Sequence, residues 1–388
     1  MVLKERTMAR ELPDYLHATK NLRKVRYAVV GEGWISQAAV LPAFKNARKN
    51  SELAALVSGD SVKLNRLSNK YSVMRKYSYE QYDECLQSDD VDAVYIALPN
   101  SMHCEFAVRA AQAGVHVLCE KPMAVTEAEC ASMIRACEKN RVKLMIAYRL
   151  HFEEANLRAI EIIESGKIGE ARIFDSVFTQ QITEGNSRLR HVFGGGTLGD
   201  MGVYCINAAR YIFREEPTEV FAFSAHSTER RFAEVEEMTS SIMRFPNDRL
   251  ATFTCSFGTS SHSSYRVVGT TGQLLVEPAY DFIGKRNLRR IIGKEVREWT
   301  FPNCDQFAPE LLYFSDCILK DKEPEPSGYE GLLDVKIVEA LYRSVGTGLP
   351  VQLSGFQRKK TRPKLDQLIT RPAVKKPELI NAKAPNKQ

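Results

Sequence analysis

The sequence contains no apolar run approaching the ~20 residues of a membrane span. Its first stretch, Met1 to Lys20, mixes Lys, Arg, Glu and Asp and lacks the apolar core of a signal peptide. These two absences predict a cytoplasmic protein that does not engage a membrane. Metal-binding spacing is missing as well. The nine Cys form no repeated CxxC and no paired Cys/His cluster. Cys85, Cys119, Cys130, Cys137 and Cys205 fall within apolar or helical patterns and are expected to be buried free thiols. The bulk of the chain also lacks a basic excess. Formal net charge is +6, but ten Lys/Arg against two Asp/Glu lie from Arg358 onward, making that stretch +8 and everything before it −2. A nearly neutral body argues against nucleic-acid binding. The tail, rich in Lys, Pro and Asn, reads as a solvated, disordered extension.

What remains is an ordinary globular composition, 44% hydrophobic and 26% charged over 388 residues, enough for two domains with separate cores. The first part alternates strands and helices. Apolar, β-branched runs at 25–30, 52–57, 91–98, 115–119 and 143–147 read as strands, separated by helical stretches such as 62–70, 79–87 and 103–113. Thr126-Glu-Ala-Glu129 has capping-box spacing and opens a further helix to about Asn140. This alternation predicts right-handed βαβ units and a doubly wound parallel sheet. After Tyr148 the pattern changes to helix 153–165, strand 171–180 and helix 198–212. Strands follow at 219–225, 238–245, 250–257, 265–268 and 273–277, with weaker ones to Phe301. Pro246-Asn-Asp248 marks a hairpin. This second region is expected to be an α+β domain with a large, mostly antiparallel, open-faced sheet. The expected division is an arm over 1–23, a Rossmann domain over 24–147, a substrate and oligomerisation domain over 148–353 with a late helix at about 327–345, and the tail over 354–388.

Gly31-Glu-Gly33-Trp34-Ile35-Ser36 follows the first strand and opens a helix. It fits a dinucleotide fingerprint: Gly31 for the tight turn, Gly33 for close approach to a pyrophosphate, and Ser36 in the small slot where helix meets strand. The helix N-terminus adds N–H donors for phosphate. Glu32 is awkward, because a carboxylate there repels pyrophosphate unless it points outward. The second strand of an NAD site ends in an acid for the ribose 2′-OH. Here that place falls on Gly59, with Ser58 before it and Lys63 beyond, an arrangement suited to the 2′-phosphate of NADP. If the strand ends one residue later, Asp60 becomes the NAD acid.

The strand Val115 to Cys119 runs into Glu120-Lys121-Pro122. A lysine at a strand end is often a surface residue, but the carboxyl edge of an open α/β sheet is where ligands bind. Lys121 is therefore expected beside a nicotinamide ring. The other cluster is Gly194-Gly-Gly196-Thr-Leu-Gly-Asp200-Met-Gly-Val-Tyr204-Cys-Ile-Asn207. Asp200 and Tyr204 share a helix face by i,i+4 spacing, and Asn207 extends it. Met201, Cys205, Ala208 and Ile212 fall on the opposite, core side. The three glycines are expected to bring backbone close to a ligand.

Gly31-x-Gly33, Leu98-Pro-Asn100, Glu120-Lys-Pro122, the Gly194 to Tyr204 motif and the late helix with Glu330-Gly-Leu resemble the glucose-fructose oxidoreductase/inositol dehydrogenase (Gfo/Idh/MocA) family over about residues 24–353. Ser58-Gly59, Cys119 to Met123, Tyr148-Arg149, Arg188-Leu-Arg190 and Tyr204 with Asn207 look closest to its glucose-fructose oxidoreductase branch. The resemblance implies an oxidoreductase with bound NADP (NAD is the alternative), acting on a cyclic sugar or related polyol. It implies a cofactor set that adds Leu98, Asn100, His103, Glu120, Lys121 and Arg149 to Gly31, Gly33, Trp34, Ile35, Ser58 and Lys63. Arg149 and Arg190 would line the sugar pocket with Lys121, Asp200 and Tyr204. A phenol, with an ordinary pKa near ~10, is a poor base at neutral pH, and a cation within ~4–6 Å favours its charged form. Tyr204 is accordingly expected as general acid/base, tuned by Lys121, with Asp200 orienting Lys121 or a neighbouring hydroxyl. The alternatives are a non-catalytic nucleotide sensor on the same fold and a dehydrogenase for an inositol or dihydrodiol. The open sheet face is expected to join copies into a homodimer or homotetramer.

Overall fold

A computed structural model describes residues 23–354 and 363–386 of the chain. The expected arm before Arg23 lies outside the described residues.

The first domain is built on six parallel strands: β1 (Val25–Val30), β2 (Ser51–Val57), β3 (Arg75–Tyr77), β4 (Ala93–Ile96), β5 (His116–Glu120) and β6 (Leu144–Ala147). Their order across the sheet is β3-β2-β1-β4-β5-β6. This is the doubly wound arrangement, with its switch point between β1 and β4. The central strands are buried on both faces, which is why they read as unbroken apolar runs; all four residues of β4 are buried. β3 escapes such a reading because it is a short edge strand, Arg-Lys-Tyr, with no fully buried residue.

Helix α1 spans 34–43, with π-type winding over Ser36–Val40 before it continues as Leu41–Ala43. α2 (Ser61–Tyr71), α3 (Tyr82–Leu86), α4 (His103–Gln112) and α5 (Glu127–Lys139) follow. The predicted capping box closes as expected: Thr126 Oγ1 accepts from Glu129 N at 3.2 Å, and Glu129 Oε2 accepts from Thr126 N at 3.0 Å.

The second domain begins with α6 (Glu154–Glu164), β7 (Ala171–Thr179) and α7 (Val203–Phe213). β8 (Glu219–Ala225), β9 (Met238–Phe245), β10 (Arg249–Ser256), β11 (His262–Gly269), β12 (Gln273–Glu277), β13 (Arg286–Ile292) and β14 (Glu295–Phe301) complete most of its sheet. With β15 (Val351–Gln352) at one edge, nine strands run β14-β13-β12-β11-β7-β10-β9-β8-β15. Only the central β7–β10 pair is parallel. The β9–β10 hairpin turns on Pro246, Asn247 and Asp248, the last two with φ of 60° and 53°. One sheet face carries the domain core. On the other, Ile173, Phe223, Ile242, Leu250 and Val296 are exposed.

Two segments depart from the expected division. Helix α8 (Phe307–Leu319) was not anticipated, and it packs on the first sheet, with Tyr27 Oη 2.8 Å from Ser315 Oγ and Asn50 Nδ2 donating to Leu312 O at 2.9 Å. It is buried nearly all round, so it shows no amphipathic stripe to betray it. The late helix is α9 (Gly328–Thr347), which bridges α5 and β8. The tail is not a solvated extension where it is described. Asp305 N donates to Arg371 O, Ile380 is buried against α1, and Asn386 pairs with Ile182 of the second domain. A basic composition concealed a few apolar and backbone anchors sufficient to dock it.

All nine cysteines are free thiols, seven of them buried. Among the described residues no helix is long and apolar enough to cross a membrane.

Candidate active site

A cavity of about 460 Å³ opens where the carboxyl edge of the parallel sheet meets the second domain. Gly33, Trp34, Ile35, Leu98, Asn100, His103, Glu120, Lys121, Arg149, Asp200 and Tyr204 all line it. Residues from both clusters singled out in the sequence thus meet in one space.

The glycine turn shows how the cofactor side is shaped. Gly31 has φ +94°, and a Cβ there would lie 2.6 Å from Ala97 O, so the turn is wedged against the end of β4. A Cβ on Gly33 would meet no protein atom within 4 Å. Gly33 therefore faces open cavity at the start of α1, where the first N–H groups lack intrahelical partners. That space and those donors fit a dinucleotide pyrophosphate. Glu32 does not point outward. It is buried, its Oε2 accepts from Ser36 Oγ at 2.9 Å, and burial pushes its carboxyl up to about 8. A carboxyl raised this far is mostly protonated at neutral pH, which relieves the expected repulsion.

Ser58, Lys63 and Gly31 do not line the cavity. β2 ends at Val57, one residue before buried Ser58. Asp60 is not at the strand end; it caps α2, accepting from Lys63 N at 2.9 Å. The residues that directly follow the end of β2 are thus Ser58 and Gly59.

Lys121 emerges from the end of β5, and its Nζ donates to Asp200 O at 3.0 Å and to Asp200 Oδ1 at 3.3 Å. The same ammonium lies 4.6 Å from the centre of the Tyr204 ring. Burial pulls the Lys121 pKa down, but Tyr204, Asp200 and Glu120 outweigh it and leave it above its ordinary value. Asp200 shows the converse balance: burial raises its pKa, but Arg188 and Lys121 hold it below the usual carboxylate value. The phenolic oxygen itself is contacted by Arg149, whose Nη2 donates to Tyr204 Oη at 3.1 Å. Arg149 also grips the loop before β13 through Tyr280 O and reaches Gln306 Oε1 at 2.5 Å. Asp200 and Tyr204 share the cavity because α7 is preceded without a break by π-type winding over Leu198–Gly202. Such widened turns recur at functional sites.

Several expected roles are corrected. Arg190 points away from the cavity; it is half exposed and pairs with Glu234 at 2.7 Å. Arg188 takes the inward place, donating through Nε to Asp200 Oδ2 at 2.7 Å. The chain turns sharply between the two arginines, so sequence adjacency could not choose between them. Asn207 does not extend the site face. It is buried in a separate network, bonded to His151, Glu330 and Asp334. Gly195 of the glycine run lines the cavity, and the run is also packed tightly on protein: a Cβ on Gly195 would be 2.3 Å from Arg188 O, and one on Gly196 would be 2.3 Å from Tyr342 Oη. His103 lines the cavity, but both its ring nitrogens face backbone carbonyls, Pro122 O and Leu98 O, each at 2.9 Å. It braces the loops that carry Lys121 and Asn100. Asn100 in turn ties the first domain to the glycine loop by donating to Gly194 O at 2.8 Å.

The residues missed from sequence come from the second domain and the tail. Phe178 and Tyr280 pack on the Tyr204 ring at 5.5 and 5.9 Å between centres. Phe282 meets Trp34 edge-on at 5.5 Å across the domain boundary. Outside the cavity lining, Glu310 of α8 is wholly buried with both carboxylate oxygens unpartnered, and burial together with Glu120 pushes it well above the carboxylate range. No local motif marks any of these; only the alternation of strands could have hinted at Phe178.

An open dinucleotide turn and a lysine–aspartate–tyrosine cluster facing the same cavity define a nicotinamide-dependent oxidoreductase. Residues 25–148 match the model of an oxidoreductase family with an NAD-binding Rossmann fold, GFO_IDH_MocA, and residues 156–275 match a GFO/IDH/MocA C-terminal domain. The chain belongs to the Gfo/Idh/MocA family of oxidoreductases. It is 32% identical over 348 residues to the D-xylose 1-dehydrogenase [NADP(+)] of Haloarcula marismortui, covering 88% of this chain and 96% of that one. Among solved structures, aldose-aldose oxidoreductase from Caulobacter crescentus, complexed with glycerol, superposes with a TM-score of 0.81 at 37% identity, covering 85% of this chain and all of that one. A 3-ketoreductase from Actinomadura kijaniata in complex with NADP and TDP-benzene gives a TM-score of 0.76 at 25% identity, covering 83% and 98%.

Proposed function

We propose that this protein transfers a hydride between NADP and a cyclic aldose or related polyol, with Tyr204 as general acid/base. The observation that carries the reading is the placement of Lys121, Asp200, Tyr204 and Arg149 around one cavity with the open face of Gly33. When bound, the nicotinamide supplies the hydride acceptor or donor. Tyr204 Oη takes the hydroxyl proton on oxidation and returns it on reduction. Arg149 Nη2 donates to that oxygen, a bond that strengthens as the oxygen gains negative charge. Lys121, held by Asp200, presents its charge across the ring and toward the reacting oxygen. Arg188 keeps Asp200 ionised and stationary. Phe178, Tyr280 and Phe282 exclude water from the reacting groups. NADP is preferred over NAD because Ser58-Gly59 ends β2 while Asp60 is committed to capping α2. The names of the xylose dehydrogenase and the ketoreductase, each with NADP, support the same choice.

The test is absorbance at the reduced-nicotinamide band when purified protein and NADP⁺ meet a panel of aldoses, polyols and inositols. Reduction driven by a cyclic aldose is expected. Binding of NADP⁺ without reduction by any member overturns the proposal in favour of a non-catalytic sensor. The exposed apolar row Ile173, Phe223 and Ile242 supports self-association through the open sheet face. Sedimentation of Ile242→Lys beside the parent chain tests it; a species of unchanged size in both would remove it.

A further inference from the structure

The described tail takes a defined path around the cofactor side of the molecule. Near Arg371 it lies beside the end of α1: Arg371 Nε donates to Asn46 O at 3.2 Å, and Asn46 Nδ2 donates to Pro372 O at 2.9 Å. It then follows α2, where Lys70 Nζ donates to Glu378 O at 2.8 Å. Ile380 is the anchor. Its side chain is buried, and the Gln37 amide pairs with its backbone in both directions, Nε2 to Ile380 O at 2.8 Å and Ile380 N to Oε1 at 2.7 Å. Asn381 Nδ2 donates to Asp60 Oδ2 at 3.1 Å. The chain then leaves the first domain. Thr183 N and Oγ1 both donate to Pro385 O, at 2.9 and 3.1 Å, and Asn386 pairs with Ile182. Pro385 and Asn386 line the active-site cavity.

Three residues, 382–384, therefore carry the chain from Asn381, bonded to the cap of α2, to Pro385 at the far wall of the cleft. This rests on the reading of that cleft as an NADP site. We propose that residues 378–386 form the outer wall of the dinucleotide site, retaining bound cofactor, with Asn386 contributing directly to the cavity that receives ligand. The segment 378–386 is electrically balanced, Glu378 against Lys383, so it retains the cofactor by its position across the cleft. The anchors are backbone and amide contacts plus buried Ile380 and Pro385, so the wall is docked without a large core and can lift to admit cofactor.

The test is the release rate of NADPH, read by loss of its bound fluorescence when chased with excess NADP⁺. The full chain is compared with one ending at Lys376, and with the double substitution Ile380→Ala/Asn381→Ala in the full-length protein. The proposal expects release at least tenfold faster after truncation and an intermediate acceleration in the double variant. Melting without cofactor verifies that each protein is folded. Release within twofold of the parent in both folded variants overturns the outer wall while leaving the NADP reading intact. If the full chain fails to bind NADPH at all, the functional reading and the wall fall together.

Discussion

Lys121 and Asp200 are joined twice, through the main-chain oxygen and the carboxylate of the same aspartate, at 3.0 and 3.3 Å. The double contact fixes the ammonium over the Tyr204 ring rather than leaving a mobile lysine at a strand end. It also joins the domains, since Lys121 directly follows β5 of the parallel sheet and Asp200 lies in the winding that opens the helix carrying Tyr204.

Tyr204→Phe removes the acid/base oxygen and leaves the ring packing. Turnover is expected to fall by ~10²–10⁴-fold, with NADP affinity unchanged. Lys121→Met should lower kcat by a similar order. Steady-state kinetics and cofactor titration check both. Full turnover in Tyr204→Phe with cofactor bound would discard its assignment.

The two arginines before the glycines are predicted to separate. Arg188→Ala frees Asp200 from a charge-assisted bond, and kcat/KM should drop roughly 10- to 100-fold. Arg190→Ala removes only an exposed pair with Glu234, for which less than about a fivefold change is expected. Equal effects would contradict the orientation of this loop.

Glu32 gives a pH signature. Its unfolded carboxyl titrates near ~4.3, whereas burial raises it to about 8 in the fold. The folded state therefore binds more protons between these values. Its stabilising contribution is complete below the lower value and is lost progressively as pH rises to the upper one. Glu32→Gln should flatten this part of the stability profile, so the variant gains on the parent between pH ~5 and ~8. NADP affinity of the parent should also weaken above pH 8, as the carboxylate forms beside the glycine turn, and that of the variant should not. Thermal melts and binding isotherms across the range decide; parallel curves would rule out a buried neutral acid.

Gly195→Ala would place a methyl 2.3 Å from Arg188 O. The loop must shift, dragging Arg188 from Asp200. A loss of roughly 1–3 kcal/mol in stability, together with a fall in kcat/KM like that of Arg188→Ala, is expected. Denaturant unfolding and kinetics on the same preparation test it, and retained activity with lowered stability would uncouple the two.

Much of this molecule was legible in the chain alone, because the informative signals were local. Central strands buried on both faces announce themselves as apolar runs. A glycine turn between strand and helix, a capping box and an i,i+4 pair are all written within a dozen residues. That local grammar led to the Rossmann sheet, the antiparallel domain, and the grouping of Lys121, Asp200 and Tyr204, which line one cavity. Tertiary structure decided whatever depended on direction or on distant partners. A sharp turn chose Arg188 over Arg190. Burial, invisible in composition, turned Glu32 from a repelling charge into a neutral acid. α8 left its own domain because a helix apolar nearly all round must be covered, and the parallel sheet offered the surface. The tail, basic enough to read as solvated, is held where described by buried Ile380, Pro363 and Pro385 and by a few backbone and amide hydrogen bonds, contacts too sparse to leave a periodic pattern and sufficient to set its path.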